Sequence, residues 1–278
     1  TLEEVNHVSM ELIKDKNRVV TASSPENEEV IISTETDLRN VFSTVSFMDI
    51  EPYVDAVLDK PLIESLHPPG RVISEKVMEE IGVTEWTLEN GVKVVLKPTD
   101  FKNDEILLSA HSPGGHSLVA DSEYMAATTA TSIIIESGVG SFTKIELDKL
   151  LSDKIVKVSP WLSSLQEGLK GNVSPQDQET MFQLIYQYFN APRYDSTAFL
   201  AYKSRMQGWI ENRDARPENT FQDTIQVTGS QHHFRARPWT MDILEEMNLE
   251  SSFKIYKDRF ADTGDFIFFL LVILNWMG

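Results

Sequence analysis

The residues with the most obvious chemistry are two pairs of histidines. His111 and His116 lie on either side of a Pro-Gly-Gly turn in the string H-S-P-G-G-H, and His232 and His233 are adjacent in the basic string Q-H-H-F-R-A-R-P-W. Neutral imidazoles are good zinc ligands, but neither pair has a third ligand close to it in the sequence. We interpret the first pair as a strand end and a turn, with metal binding as the open alternative. The second pair is interpreted as a loop contact.

The chain lacks the patterns that commonly mark hydrolase and nucleotide sites. It contains no G-x-S-x-G, the turn on which many serine hydrolases present their nucleophile. The string G-V-G-S-F ends a predicted helix instead of opening one after a strand, so it is not a phosphate loop. There is no cysteine, which excludes disulfides, thiolate metal sites and cysteine catalysis. The residues alone therefore predict no catalytic, cofactor-binding or metal-binding residue in this segment.

Composition limits the classes of partner. Lys and Arg number 25 and Asp and Glu 43, which gives a formal net charge of -18. Nucleic acids and anionic membrane surfaces both require a basic face, so neither is an expected partner. The apolar tail from Phe266 to Gly278 is too short for a membrane span, which needs about 20 residues. We expect its first part to be a strand.

The hydrophobic pattern predicts an α+β domain, with helices packed on one face of a mainly antiparallel sheet. Asn90-Gly91 is the favoured dipeptide of a tight hairpin turn and is flanked by β-branched residues. A largely apolar helix is predicted over 121–137, packed against the sheet. The predicted strands are 85–88, 92–97, 104–111 and 265–272, and the strings I-V-K-V-S-P-W-L-S-S and Q-E-G-L-K-G-N-V predict a further strand pair.

The segment 49–81 has the composition of a linker. Prolines at positions 52, 61, 68 and 69 stand among acidic residues, and regular periodicity disappears. A long surface loop inside one domain is the alternative, although such loops are uncommon. Before it, residues 1–48 are predicted to hold two helices and a short strand, R-V-V-T-A at 18–22. The chain starts without methionine and directly on a helix-capping pattern, so we expect a fragment.

One long string resembles a known family. Y-M-A-A-T-T-A-T-S-I-I-I-E-S-G-V-G-S-F, following the hairpin W-T-L-E-N-G-V-K-V-V-L-K-P, resembles the opening of an insulinase/pitrilysin-family zinc peptidase domain. S-P-G-G-H-S and S-P-Q-D-Q-E-T-M-F-Q-L-I-Y-Q-Y-F-N-A-P-R fit the same pattern. The match is more specific to the second, non-catalytic half of bacterial periplasmic members.

The resemblance implies a layout. Family members carry four homologous α+β domains in two halves, joined by a linker and enclosing a chamber for peptide substrates. Residues 1–48 would then be the C-terminal piece of a preceding homologous domain, 49–81 the linker between halves, and 82–278 an insulinase-like domain. The implied partners are a peptide or protein substrate and the catalytic half of the parent chain. Self-association of the fragment stays open.

The zinc motif of the family is missing from the matching helix. In the active domain, H-x-x-E-H supplies two zinc-binding histidines and a glutamate that serves as general base. Aligned on this helix, the motif falls on T-S-I-I-I, so that Thr131 and Ile135 take the histidine positions and Ile134 takes that of the glutamate. None of the three can ligate zinc or transfer a proton. The resemblance therefore implies that zinc lies in the catalytic half of the parent protein.

Two functions follow from the resemblance. The first is a fragment of a zinc-dependent metalloendopeptidase, inactive alone, that closes the substrate chamber and helps bind peptide. The alternative is a stand-alone peptide-binding or scaffold module that partners an active peptidase subunit. The implied location is the bacterial periplasm or cell envelope, although no signal peptide is visible in this fragment.

The last residues, about 271–278, form a separate hypothesis. A family domain is expected to end in a strand resembling F-I-F-F-F-V-G-N-F-E-L-D-G. Codons for the last eight of those residues, read out of frame, can yield L-V-I-L-N-W-M-G, which is the sequence of 271–278 here. We therefore predict a frameshift near residue 271. Sequencing the gene tests this, since an in-frame homologue that reads L-V-I-L-N-W-M-G would contradict it.

Overall fold

The chain forms two compact units, Thr1–Asp55 and Ala56–Gly278. The computed structural model describes residues 1–12, 16–23, 32–49, 51, 60–65, 68–100, 102, 104–214 and 216–273. No helix within these residues is long and apolar enough to cross a membrane.

The first unit contains two helices, α1 (Leu2–Leu12) and α2 (Glu35–Ser46). Helix α2 begins with a capping box, in which the Thr34 hydroxyl accepts from the Asp37 backbone N–H and the Asp37 carboxylate accepts from that of Thr34. The predicted strand at 18–22 is wrong, because these residues adopt no regular structure. Val19 is 88% exposed, so its β-branched side chain has no sheet surface to pack on.

The second unit is built on one seven-stranded sheet of order β1-β2-β3-β7-β4-β6-β5. All neighbouring strands are antiparallel except β3 and β7, which run parallel. The predicted α+β class is confirmed, and the strands predicted in this unit, including the further strand pair, are present. The strands are β1 (Val72–Met78), β2 (Val83–Leu88), β3 (Lys93–Thr99), β4 (Ile106–Pro113), β5 (Val156–Leu162), β6 (Gln166–Val173) and β7 (Ile267–Ile273).

The predicted hairpin joins β2 to β3. The backbone N–H of Gly91 donates to the carbonyl of Leu88 at 2.9 Å, and that of Leu88 donates to the carbonyl of Val92 at 2.8 Å. Gly91 has a φ of +90°, which glycine adopts without steric cost. Asn90-Gly91 thus fixes the pairing of Thr87 with Lys93, and the register of the hairpin follows.

The helices of the second unit pack on one face of the sheet. Leu96, Leu108 and Leu270, on three adjacent strands, form a core with side chains of α3 and α5, among them Ile134 and Met181. The helices are α3 (Tyr124–Ser137), α4 (Lys144–Leu150), α5 (Gln178–Asn190), α6 (Ser196–Asp214), α7 (Pro217–Gly229), α8 (Met241–Glu245) and α9 (Leu249–Arg259).

Part of the segment with linker composition belongs to this sheet. Residues 72–78 form the edge strand β1, which pairs with β2. Leu62 is buried in the core, and its carbonyl accepts a hydrogen bond from the side-chain amide of Gln187. The domain boundaries at 48 and 81 stay a prediction.

The apolar tail begins as the central strand β7. It pairs in parallel with β3 from Ile267 to Ile273 and antiparallel with β4 over part of that length. Residues 274–278 lie outside the described residues, and the strand does not test the reading frame of 271–278. The frameshift hypothesis therefore stays a prediction.

Candidate functional site

Helix α3, which takes the place of the zinc-binding helix in the resemblance, is a core element. Ile134 is fully buried, Thr131 is 9% exposed, and Ile135 is partly buried. The Ser252 hydroxyl of α9 donates to the carbonyl of Ala126 at 3.0 Å, and the alanines of α3 allow this close approach. At positions 131, 134 and 135 the helix offers neither an imidazole nor a carboxylate.

The described residues contain no group of three or more His, Cys, Asp or Glu side chains that could hold a metal ion. His111 lies on β4, where its Nε2 is 2.7 Å from the Ser109 hydroxyl and its ring meets Trp161 edge-on. His116 lies in the turn that follows and packs edge-on against Tyr124 of α3. The two imidazoles thus have different neighbours and do not form one site.

An arginine that the sequence analysis did not single out connects the two histidine strings. Arg235 donates to the carbonyls of His116 at 2.8 Å and Val119 at 2.7 Å, and its Nε lies 2.7 Å from the Asp121 carboxylate. The guanidinium also lies over the Tyr124 ring, 4.9 Å from its centroid. The basic loop therefore anchors the segment between β4 and α3. Burial, with the nearby charge of Arg235, lowers the pKa of His116.

The second pair of histidines lies at the start of this loop. His232 has a φ of +57°, and the ring Nδ1 of His233 accepts from the backbone N–H of Arg235 at 3.1 Å. His233 thus helps to shape the turn that presents Arg235. Both residues lie in the loop that follows α7, and the interpretation of the pair as a loop contact stays a prediction.

A buried carboxylate, that of Glu167, accepts a hydrogen bond from the backbone of the Gly-Gly turn. Glu167 on β6 is 2% exposed, accepts from the backbone N–H of Gly115, and lies 3.9 Å from the Arg259 guanidinium. Gly115 has a φ of +66°, and a Cβ there would approach the Ser163 carbonyl to 2.3 Å. Burial raises the pKa of Glu167, against the opposing influence of the Gly115 N–H and Arg259.

The sheet has two edges that could accept an added strand. Strand β1 pairs only with β2 and is mostly exposed, and β5 pairs only with β6. Edge strands present unpaired backbone groups that can bind an extended peptide. Within the described part of the chain, these two edges are where the geometry allows binding by strand addition.

The sequence comparisons find two curated relatives, and no family model matches the chain. A zinc protease PQQL-like protein of Arabidopsis thaliana is 29% identical over 146 residues, which cover 51% of this chain and 15% of the relative. A probable zinc protease PqqL of Haemophilus influenzae is 20% identical over 145 residues, covering 52% of this chain and 16% of that protein. The chain therefore matches only a small part of each relative.

Solved structures share the fold. The periplasmic protease PqqL from Escherichia coli matches with a TM-score of 0.66 at 16% identity, covering 87% of this chain and 26% of PqqL. The ferredoxin protease FusC, solved with Arabidopsis ferredoxin, matches with a TM-score of 0.64 at 15% identity, over 89% of this chain and 27% of FusC. The first half of PqqL alone also matches, with a TM-score of 0.56 at 11% identity, over 73% of this chain and 44% of that half.

The fold is thus the α+β fold found in these proteases, and it agrees with an insulinase-type domain. More particularly, the chain resembles PqqL-like zinc proteases, as its motifs predicted.

Proposed function

We propose that this chain is the non-catalytic part of a zinc-dependent metalloendopeptidase, where it closes the substrate chamber and helps bind peptide. The observation that carries the proposal is helix α3. It takes the place of the zinc-binding helix in the alignment, yet it is buried and has Thr131, Ile134 and Ile135 at the three motif positions. In this proposal the zinc and the general base belong to the catalytic half of the parent protein.

The proposed parent consists of two halves with repeated domains. Residues 1–48 would end one domain, 49–81 would connect the halves, and 82–278 would form the next domain. Two observations support this layout: the chain spans about a quarter of E. coli PqqL, and its fold also matches the first half of that protein. The proposed location is the periplasm or cell envelope, by similarity to the periplasmic protease PqqL.

Peptide binding at a sheet edge is part of the proposal. An extended segment would add to β1 or β5 through backbone hydrogen bonds, which do not depend on side chains. In NMR titrations with a substrate peptide, we expect chemical-shift changes at Val72–Met78 or Val156–Leu162. Changes confined to the helices would contradict binding at either edge.

The alternative function is a stand-alone module that binds peptide or acts as a scaffold for an active peptidase subunit. The gene sequence upstream of this chain distinguishes the two functions. An H-x-x-E-H motif upstream in the same reading frame supports the metalloendopeptidase, whereas its absence supports the separate module.

We expect the isolated chain to bind no stoichiometric zinc and to cleave no peptide. A catalytic zinc needs three protein ligands and an open position for water, and the helix that should supply two ligands has Thr131 and Ile135 instead. Metal analysis after dialysis and a peptidase assay with added zinc measure the two quantities. One tightly held zinc per chain, with activity that is lost when His111 or His116 is replaced by alanine, would contradict the proposal.

A further inference from the structure

One face of the sheet turns away from the helices of the second unit, and we call it the open sheet face. Leu96, Leu270, Leu108 and Val158 point into the core beneath the helices and are at most 6% exposed. Side chains alternate between the two faces of a strand. The residues on either side of these four in each strand therefore project from the open sheet face.

The centre of the open sheet face is apolar and partly aromatic. The His111 ring lies between Trp161, at 5.2 Å between centroids, and Phe269, at 6.0 Å. Trp161 covers Gly168, where a Cβ would come within 2.5 Å of the indole ring. Phe269 is 36% exposed and Leu107 on the next strand is 42% exposed. Apolar side chains of this size are thus accessible in the middle of a sheet.

The charge on this face is opposite to that of the chain. Residues paired across neighbouring strands form rows on the open sheet face. Among these paired residues are one carboxylate, Glu85, and five lysines, at positions 76, 93, 97, 157 and 170. Lys157 and Lys170 on β5 and β6 are both exposed. The whole chain has a net charge of -18. A negatively charged ligand is therefore repelled by most of the surface and attracted by this face.

A groove joins the apolar and basic groups. It has a volume of about 630 Å³, and Lys157 and Lys170 line it together with Leu107 and Leu271. One carboxylate also lines the groove, that of Glu105, and its charge is paired with Lys102 at 2.6 Å. This volume lies within the range of pockets that bind small molecules and peptide side chains. The groove adjoins β5, the edge strand available for strand addition.

We propose that the open sheet face binds an extended substrate segment that carries both acidic and apolar side chains. Acidic side chains would pair with Lys157 and Lys170. Apolar side chains would pack on Leu107 and Leu271 and on the rings of Trp161, His111 and Phe269. The occupant is identified by charge complementarity, because the lysines of this face belong to a strongly acidic chain. The inference rests on the proposed peptide-binding function and specifies its surface and its preference.

Fluorescence anisotropy with labelled ten-residue peptides tests this preference in the 278-residue chain. The first peptide alternates glutamate with leucine or phenylalanine, the second has lysine for glutamate, and the third has serine for the apolar residues. We expect the first peptide to bind at least about tenfold more tightly than either of the others. Equal or tighter binding of the lysine peptide would overturn the inference.

Variants locate the binding surface. The double variant K157E/K170E should weaken binding of the acidic peptide about tenfold at low salt, because two attractive pairs become repulsive. K254E, which makes the same kind of charge change at an exposed position of α9, should change the Kd less than about twofold. L107S should weaken the binding that persists at 1 M salt, where charges are screened. Unchanged circular dichroism spectra establish that each variant is folded.

The outcomes distinguish this inference from the function on which it rests. If the peptides bind but neither K157E/K170E nor L107S alters the Kd, the open sheet face is not the binding surface, while peptide binding by the chain stands. If no peptide binds, both the inference and the peptide-binding part of the proposed function fail. If sedimentation shows that a second copy of the chain occupies this face and that K157E/K170E dissociates it, the substrate is the wrong occupant.

Discussion

Replacing Ile134 with glutamate is expected to lower the free energy of unfolding by more than about 4 kcal/mol and to unfold a domain of ordinary stability. Ile134 is fully buried in the main core, so the variant loses the burial of an isoleucine side chain, about 1.5–3 kcal/mol. It also places an unpaired carboxylate in an apolar environment, which costs several kcal/mol more. Chemical denaturation followed by circular dichroism measures the loss.

The same substitution at Ile145 provides a matched control. Ile145 lies on helix α4 and is 70% exposed, so Ile145→Glu should change the free energy of unfolding by less than about 0.5 kcal/mol. A small effect at Ile134 would show that helix α3 can open around a polar side chain. The interpretation of this helix as a core element, on which the proposed function depends, would then be wrong.

The burial of Ile134 also means that single substitutions cannot restore the zinc motif. In a catalytic domain the motif glutamate must reach zinc-bound water, so its helix has to present that position to a cavity. Here the corresponding side chain is fully buried and belongs to the apolar core that also contains side chains of the sheet and of α5. Sequence and packing agree at this position, since an apolar residue stands where the structure has no room for solvent.

Local signals made much of the second unit predictable. Asn90-Gly91 set the hairpin, and the alternation of the following residues located β3 and β4. The sheet order was not predictable in the same way, because β7 inserts between β3 and β4 from about 160 residues further along the chain. Its parallel pairing with β3 depends on tertiary packing that no local pattern records.

Strand β1 was missed for a physical reason. Six of its seven residues are exposed, so V-I-S-E-K-V-M has no buried face to impose alternation on the sequence. The opposite error occurred at R-V-V-T-A, where β-branched residues suggested a strand that has no partner among the described residues of its unit.

The supporting residues of the turn were also hidden in the sequence. Glu167 is one of 43 acidic residues, and nothing in E-G-L-K-G distinguishes a buried carboxylate from a solvated one. Arg235 lies in the string Q-H-H-F-R-A-R-P-W, where the histidines are the residues with the more obvious chemistry. Both residues gain their roles from long-range contacts, with Gly115 and with the His116 carbonyl.

Replacing Glu167 should have a large and pH-dependent effect. Glu167→Ala leaves the Gly115 N–H without its acceptor and Arg259 without its neighbouring charge, so we expect a loss of about 2 kcal/mol at neutral pH. Glu167→Gln keeps the shape and an acceptor oxygen while removing the ionisation. Its stability relative to the wild type should therefore depend on pH.

The direction in which this stability difference changes with pH follows from the raised pKa of Glu167. Between the ordinary value of 4.5 and the higher folded value, the folded chain holds a proton that the unfolded chain has released. The stabilisation from this group is thus complete below pH 4.5 and is lost as the pH rises through the folded pKa. Glu167→Gln should consequently gain stability relative to the wild type over this window, as measured by denaturation at several pH values.

Glu80→Gln makes the same substitution at an exposed position and is the control for replacing a carboxylate by an amide. If the stability difference between Glu167→Gln and the wild type were constant over this pH range, the Glu167 carboxylate would titrate alike in the folded and unfolded chains. Burial would then not dominate its environment. If the difference changed in the opposite direction, the Gly115 N–H and Arg259 would stabilise the ionised form by more than burial disfavours it, and Glu167 would hold the turn as a charged group.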